Sequence, residues 1–493
     1  MILLDGSSLS LSGLMAIAHE HARVGLTADA RARVRAARAL VDAKATADEP
    51  AYGINTGFGS LSDVRIPRDQ LSALQLNLIR SHAAGVGEPL PVAAVRATMA
   101  LRANVLAKGY SGAREATVDA LIDALNAGVH PRIPSRGSVG ASGDLAPLAH
   151  LALVLVGEGD VLDGRTLMEA GLHPLELDAK EGLALINGTQ PSTAVLALAW
   201  REAMRLADAA DVAAAMSLDA LRGSAKPFDP RIHEARPYDG QRTSARRIAA
   251  LLKDSAINAS HATCGRVQDA YCLRCAAQVH GAARDALAFV EKTLTIEANS
   301  GTDNPMVFAE QSEIVSGGNF HGAPVAIAAD LLAIAVTHLA TISERRADRL
   351  LDSKVSGLPP FLTEHSGLHS GLMMAQVTAA ALASELKSLA HPASVDTIPT
   401  SAGKEDHVSM SMGAALKAAR AAEMAQQVVA IELLCASQGI DLLRPLTSSP
   451  VLEQVHATIR AGVPRLGDDR APAPDIARLA SYISDGSVIP ADV

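Results

Sequence analysis

Aromatic side chains are scarce in this sequence, which has one Trp, five Tyr and six Phe among 493 residues. Hydrophobic residues still make up 48% of the chain, so Ala, Leu, Val and Ile must fill most of the interior. Such residues suit close-packed helices, because Ala and Leu are strong helix formers and small faces approach closely. The composition therefore predicts a mainly helical protein, and the length predicts more than one packed region.

The sequence also lacks clusters of positive charge, a basic leader and enough cysteines for a disulfide framework. The net charge of −9 is not concentrated in runs, whereas a nucleic-acid surface needs clustered Lys and Arg. Four cysteines in so long a chain do not form a disulfide framework. The most apolar long window, 325–342, contains Asp330 and His338, and charge is costly at mid-bilayer. We expect a cytoplasmic protein with neither nucleic acid nor membrane as partner.

Helix boundaries are marked by proline and glycine. Pro91 precedes an apolar periodic segment and Gly109 follows it, which is the asymmetry typical of helix ends. Strand-like alternation is short, near 160–168 and 307–316. We expect a smaller mixed N-terminal region, 1–200, that carries glycine-rich active-site loops, and a long-helix bundle, 201–493. Long Ala/Leu-rich helices, which also favour packing between subunits, are predicted at 190–222, 277–295, 322–352, 371–390 and 411–438, the last ending near Gly439.

The stretch GSVGASGDLAPLAH, residues 137–150, places Ala141, Ser142 and Gly143 in front of an apolar helix. One interpretation is a glycine-rich turn with Ser142 or Asp144 as the helix N-cap. The other is chemical, because Gly143 lacks a side chain and its amide nitrogen can approach the carbonyl of Ala141. Ring closure around Ser142 with loss of two waters leaves an exocyclic methylene, which is a strong electrophile.

This stretch resembles the signature of the aromatic amino acid ammonia-lyases. The resemblance implies a methylidene-imidazolone (MIO) group that forms autocatalytically from Ala141, Ser142 and Gly143, with no external cofactor and a small amino acid as substrate. We also expect a homotetramer. Further segments agree in the family's order across residues 50–440: AYGINTGFG, SHAAGVG, INGTQ, VQDAYCLRC, TDNPMVF, SGGNFHG, LPPFL and EDHVSM.

Tyr52 lies in YGINTGFG, a loop whose three glycines allow it to present a side chain. A packed loop aromatic is the alternative interpretation. A phenolate can remove a proton, and the resemblance implies that Tyr52 is the general base of an elimination.

Gln268, Tyr271 and Arg274 are three residues apart and so share a helix face or a turn leading into it. The guanidinium fork of Arg274 beside the amide of Gln268 suits a substrate carboxylate. A structural pair between Arg274 and Asp269 is the alternative. The resemblance implies that Arg274 binds the carboxylate of the amino acid, with Tyr271 among the catalytic residues.

Asn187 and Phe320 are assigned to the site by the resemblance. It implies that Asn187 contacts substrate or the MIO oxygen, and that Phe320 lies against the substrate ring and the MIO. A turn residue before Gly188 and a core aromatic are the respective alternatives.

His261, Cys264, Cys272 and Cys275 match a zinc pattern, H-x2-C-x7-C-x2-C. A structural zinc site usually pairs two close-spaced ligand couples across a short knuckle. The last two cysteines interleave instead with the Tyr and Arg of a helical-looking segment. We therefore expect buried thiols and no metal.

His82 and Glu405 indicate the substrate's ring. Imidazole has an N–H donor and an acceptor, so a carboxylate and a histidine satisfy both ends. A phenyl ring leaves Glu405 buried and unpaired, a mismatch that gives specificity. Both positions resemble the branch of the family that acts on histidine, so the expected reaction converts L-histidine to trans-urocanate.

Three residues depart from that branch: Lys404, where Gln is usual; His369, where Asn is usual; and Ala270, where Pro is common. The alternatives are an MIO lyase or aminomutase acting on tyrosine, phenylalanine or a modified histidine. A fumarase/aspartase-type helical lyase ranks lower, because its Met-Pro-x-Lys-x-Asn segment is absent. A non-enzymatic helical scaffold does not need Tyr52, Ser142 and Arg274.

Overall fold

The computed structural model describes residues 1–47, 49–57, 59, 64–262, 265 and 267–491. The chain forms two compact units, and each is assembled from separate segments. The first contains Met1–Leu198, Glu291–Asp330 and Pro392–Leu416, and the second contains Ala199–Val290, Leu331–His391 and Lys417–Val493.

Helices dominate both units, which confirms the mainly helical prediction. The described part of the chain contains nineteen α-helices: α1 Leu11–His19, α2 Ala28–Thr46, α3 Leu71–His82, α4 Val92–Ala107, α5 Glu115–Ala127, α6 Leu145–Leu155, α7 Glu181–Ile186, α8 Gln190–Ala220, α9 Pro230–Glu234, α10 Asp239–Leu252, α11 Ala256–Ala259, α12 Tyr271–Arg274, α13 Ala276–Glu297, α14 Ala323–Leu351, α15 Ser353–Ser356, α16 Met373–Leu389, α17 Ser411–Leu442, α18 Pro450–Gly462 and α19 Ala473–Asp485.

Proline and glycine mark the ends of α4 as predicted, but the glycine predicted to end α17 does not. Pro91 is the N-cap of α4, and Gly109 follows the helix with φ +84°. The predicted end of α17 near Gly439 is wrong, because the helix continues to Leu442. A Cβ at position 439 would lie 3.0 Å from Cβ of Ala220 and 3.2 Å from Cδ1 of Leu358. This glycine therefore permits close packing inside a helix.

Strands are short and form three two-stranded sheets within the described residues. The predicted strand near 307–316 is confirmed, but near 160–168 only a single bridge forms, between Val161 and Pro131. The sheets pair β1 (Ile2–Leu4) with β2 (Val24–Leu26) in parallel, β3 (Val86–Pro89) with β4 (Pro134–Arg136) antiparallel, and β5 (Met306–Phe308) with β6 (Glu313–Val315) antiparallel.

Helix α4 is the central helix of the first unit, where it packs against α1 and α5. Every residue from 94 to 107 on it is buried, including the guanidinium of Arg102. Arg102 is fully enclosed and donates to backbone carbonyls at the end of α7, so the buried helix holds the segment that leads to Asn187.

Helix α14 is long and apolar enough to span a membrane by length and composition. However, 61% of its most apolar stretch is buried inside the protein. Asp330 on this helix is itself buried and accepts a hydrogen bond from the backbone N–H of Ser394 at 2.7 Å. These features are those of a helix packed within a protein core.

Candidate active site

A cavity of about 560 Å³ lies in the first unit, where loops from distant parts of the sequence meet. Loops after α2, after β4 and before α17 each contribute to its wall. Lys404 also lines it. Seven of the residues selected from the sequence line this one cavity: Tyr52, His82, Ala141, Ser142, Asn187, Phe320 and Glu405.

The loop that carries Ala141, Ser142 and Gly143 is pressed against a neighbouring backbone. Gly143 has φ +68° and forms a bridge with Gly188. A Cβ at position 143 would lie 2.1 Å from the carbonyl oxygen of Gly188, so no side chain fits there. The glycine at 143 is therefore required by the close approach.

Both flanks of the tripeptide are held by hydrogen bonds. On the N-terminal side, the Ser409 hydroxyl donates to the carbonyl of Gly140 at 3.0 Å, and the Met410 N–H donates to the carbonyl of Val139 at 2.7 Å. On the C-terminal side, the Asp144 N–H donates to the carbonyl of Gly188 at 2.8 Å. The loop between these anchors is fixed in a bent conformation.

Asp144 occupies the N-cap position of α6, yet its carboxylate does not cap the helix. It accepts from the Ser138 hydroxyl at 2.6 Å and from the Ser192 N–H at 2.8 Å. The carboxyl group is fully buried, and this burial raises its pKa. Neither Asp144 nor Ser142 therefore acts as the simple side-chain cap that the turn interpretation requires.

Ser142 and Glu405 are brought together from positions 263 residues apart. The Ser142 hydroxyl donates to Oε1 of Glu405 at 3.1 Å, while the hydroxyl of Thr400 donates to Oε2 at 2.6 Å. Each carboxylate oxygen thus has one hydroxyl partner.

His82, at the end of α3, has its Nδ1 2.8 Å from the carbonyl oxygen of Leu78 and 3.0 Å from Oγ of Ser81. A carbonyl only accepts, so Nδ1 carries the proton in this contact. Nε2 is the ring nitrogen that takes no part in these two contacts. Of the two groups selected for ring recognition, Glu405 offers a carboxylate acceptor and His82 offers this second ring nitrogen.

The side-chain amide of Asn187 is fixed by two acceptors. Its Nδ2 donates to Oδ1 of Asp303 at 3.1 Å and to the carbonyl of Asn304 at 3.0 Å. Asp303 is also paired with the buried ammonium of Lys180 at 3.0 Å, and burial lowers the pKa of Lys180. Oδ1 of Asn187 is buried without a hydrogen-bond partner among the described residues, so this side chain offers an acceptor to a donor in the cavity.

Gln268, Tyr271 and Arg274 lie in the second unit and are not among the residues that line the cavity. Gln268 precedes α12, and Tyr271 is 70% exposed at its start. The guanidinium carbon of Arg274 lies 4.5 Å from the centroid of the Tyr271 ring. Within the described residues, Arg274 has no acidic partner, and Asp269 accepts from the Ser224 N–H at 2.7 Å. The alternative pair between Arg274 and Asp269 is not formed.

The cysteines of the zinc pattern do not form a cluster in the described part of the chain. Cys272 and Cys275 are partly buried free thiols in and beside α12, and Cys264 lies outside the described residues. Across the described ranges, no group of three or more His, Cys, Asp or Glu side chains is arranged to hold a metal ion.

The three departures from the family pattern fall in different places. Lys404 lines the cavity beside Glu405, whereas Ala270 is the residue before α12. His369 lies in the second unit, where its Nδ1 accepts from the Asp469 N–H at 3.2 Å. Only Lys404 is therefore positioned to affect a ligand in the cavity directly.

Several residues of the site were missed by the sequence reasoning, among them Thr400, Asp303 and Ser409. Asp303 lies in TDNPMVF and Ser409 lies in EDHVSM, two of the segments that carry the family resemblance. Their position in these segments could have identified them as site residues. Thr400 lies five residues before Glu405, and only the folded loop reveals its contact.

The chain is similar to known proteins along almost its whole length. The sequence model of a family described as aromatic amino acid lyase matches residues 9–461. A histidine ammonia-lyase of Anaeromyxobacter sp. (strain K) is 54% identical over 503 aligned residues, covering 99% of each chain. The crystal structure of histidine ammonia-lyase from Trypanosoma cruzi is 47% identical with TM-score 0.92, covering 99% of this chain and 94% of that one. Tyrosine aminomutase from Streptomyces globisporus is 38% identical with TM-score 0.94, covering 99% and 97%.

Proposed function

The chain belongs to the aromatic amino acid lyase family, and on that premise we propose that it is a carbon–nitrogen lyase that removes ammonia from L-histidine to give trans-urocanate. The observation that carries the choice of substrate is the carboxylate of Glu405 at the cavity, beside Ser142. A carboxylate there accepts a ring N–H, which imidazole has and phenyl lacks. The similarity to histidine ammonia-lyases supports the same substrate.

The residues at 141–143 fit an MIO group, and no external cofactor is proposed. Ser142 carries the β-hydroxyl that is lost, and the absence of Cβ at Gly143 lets the loop bend against Gly188. Hydrogen bonds on both flanks hold the loop in this bend, which favours attack of the Gly143 nitrogen on the Ala141 carbonyl carbon. Once formed, the group supplies an electrophile that makes the amine of the substrate a better leaving group.

The chain's own residues then orient the substrate and move its proton. In the proposed reaction Tyr52 removes a proton from the β-carbon, and the electron pair of that C–H bond forms the double bond as ammonia leaves the α-carbon. Phe320 packs against the ring, and the unpaired Oδ1 of Asn187 accepts from the substrate amine. Gln268, Tyr271 and Arg274 are assigned to the substrate by the family resemblance alone, with Arg274 proposed to bind the carboxylate, because none of the three is among the residues that line the cavity.

Arg274→Lys is expected to raise KM and lower kcat together. Lysine replaces a planar fork of donors with a point charge, and a misplaced carboxylate also displaces the β-proton. Steady-state kinetics on histidine measure both changes. Arg236→Lys is the matched control, because Arg236 also stacks on a tyrosine, Tyr238, at 5.1 Å. Kinetics of Arg274→Lys equal to those of the control would return Arg274 to a structural role.

The experiment that tests the proposed function is a substrate panel of histidine, tyrosine, phenylalanine and ring-modified histidines. Product absorbance follows the reaction, and NMR identifies the product. Urocanate from histidine is the expected result. A β-amino acid in the NMR spectrum would indicate an aminomutase, and preferred turnover of another amino acid would identify the alternative substrate. No product from any member would contradict the assignment as an enzyme.

We further propose that the protein is a cytoplasmic homotetramer. Large apolar side chains are exposed on several of the long helices, which supports packing between copies of the chain. Light scattering coupled to size-exclusion chromatography is expected to give four times the mass of one chain, and the mass of a single chain would contradict this proposal. The exposed side chains are Phe289 and Ile296 on α13, Ile327 on α14, and Met374 and Val377 on α16.

A further inference from the structure

The carboxylate of Glu405 accepts hydrogen bonds from two hydroxyl groups, and only one of these hydroxyls remains after the proposed maturation. The partner of Oε1 is the hydroxyl of Ser142, which the proposed maturation removes. The partner of Oε2 is the hydroxyl of Thr400 at 2.6 Å, which stays in the mature protein. A hydroxyl bound to a carboxylate makes a short, charge-assisted hydrogen bond. Only the Thr400 contact can therefore fix this carboxylate during turnover.

Thr400 and Glu405 are also paired through their backbones. The Thr400 N–H donates to the carbonyl of Glu405 at 2.9 Å, and the Glu405 N–H donates to the carbonyl of Thr400 at 3.4 Å. The turn between them has positive φ at three successive residues: Ser401 (50°), Ala402 (54°) and Gly403 (83°). Non-glycine residues rarely adopt this conformation, and it persists where the surrounding structure imposes it.

Maturation changes the hydrogen bonding of only one of the two oxygens. Ser142 loses its Cα proton and its hydroxyl as one water, and the electron pair of the broken C–H bond forms the Cα–Cβ double bond. No other described residue donates a hydrogen bond to Oε1 of Glu405. Oε1 is then an acceptor without a protein donor at the wall of the cavity, a state that favours a donor from the ligand.

We propose that Thr400 is a positioning residue for ring recognition: its hydroxyl holds Oε2 of Glu405, so that Oε1, released by the loss of the Ser142 hydroxyl, accepts the ring N–H of the substrate. The inference rests on the proposed function. Maturation then has a second consequence: the reaction that builds the electrophile also removes the hydroxyl bound to Oε1 of Glu405, the oxygen that recognises the ring.

Thr400→Val tests this role, because valine keeps the shape of the side chain and the backbone bridge while removing the hydroxyl. We expect kcat/KM for histidine to fall roughly tenfold, mainly through KM, because a ring contact is already made in the ground state. Thr400→Ser restores the hydroxyl and should restore the activity. Intact mass should retain the loss of two waters in both variants, since maturation does not need Thr400.

A double-mutant cycle separates positioning from a general loosening of the loop. With Glu405→Gln already present, adding Thr400→Val should change kcat/KM by less than about twofold, because the carboxylate that Thr400 holds is gone. Thr397→Val is the control: the Thr397 hydroxyl accepts from the Val408 N–H at 2.8 Å in the same segment. Its effect should add fully to that of Glu405→Gln.

Binding in the absence of chemistry gives an independent readout. Ser142→Ala lacks the hydroxyl and leaves Oε1 open, so calorimetry should detect urocanate binding, and adding Thr400→Val should weaken it roughly tenfold. Wild-type kinetics for Thr400→Val on histidine, or full additivity with Glu405→Gln, would overturn the inference while leaving the proposed function intact. A wild-type protein without histidine activity would instead overturn the proposed function, and the role of Thr400 with it.

Discussion

Ser142→Ala is expected to retain the mass of the two waters and to lose activity by several orders of magnitude. The β-hydroxyl of Ser142 leaves as the second water, and alanine has no such group. Without that elimination the ring closure stays reversible, so the first water is retained as well. Without the electrophile, a side-chain base must remove a β-proton that is far too weakly acidic, so most of the barrier reduction disappears. Intact-mass spectrometry and histidine turnover measure the two effects separately.

The control for this experiment is Ser135→Ala on β4, seven residues before Ser142 in the same part of the chain. It deletes the same atoms outside the tripeptide, so it should show the two-water loss and near wild-type turnover. A wild-type chain that is fully active without any mass loss would exclude the MIO proposal. Full activity of Ser142→Ala would do so equally.

Much of the helical architecture is predictable from local sequence, because helix ends depend on a few backbone positions. Pro91 and Gly109 bound α4 as expected. The same reasoning wrongly placed the end of α17 near Gly439, because glycine is favoured both at a helix end and where two helices pack closely. The two cases are distinguished by the close approach of position 439 to Cβ of Ala220, a residue more than two hundred positions away in the sequence.

The residues of the candidate site were predicted mainly from the resemblance to a known family, and less from the spacing of residues in the sequence. No local pattern connects Ser142 with Glu405, and their contact exists only because two distant loops share one cavity. Sequence reasoning selected both residues but gave no geometry for either. It missed Thr400, because a hydroxyl that acts through another side chain carries no motif of its own. The orientation of the Asn187 amide likewise depends on Asp303 and emerges only from the fold.

Glu405→Gln is expected to lower kcat/KM for histidine by about 10- to 150-fold. A hydrogen bond to a charged group contributes about 1.5–3 kcal/mol, and each 1.36 kcal/mol corresponds to about a tenfold change in rate. Glutamine keeps the shape of the side chain but replaces a charged acceptor with a neutral amide, so the charge-assisted hydrogen bond to the ring N–H becomes a neutral one. Phenylalanine turnover should fall far less, or even rise, because a carboxylate that phenyl cannot pair is removed. Parallel kinetics on the two amino acids measure this difference.

Glu313→Gln, an exposed position on β6, is the matched control and should leave both substrates unchanged. Lys404→Gln examines the departure beside Glu405: if the ammonium of Lys404 faces solvent, histidine kinetics barely move. If Lys404→Gln instead creates histidine activity that the wild type lacks, the natural substrate is a different amino acid. Equal losses on histidine and phenylalanine for Glu405→Gln would assign Glu405 to the shared elimination step, and the argument for ring recognition would be wrong.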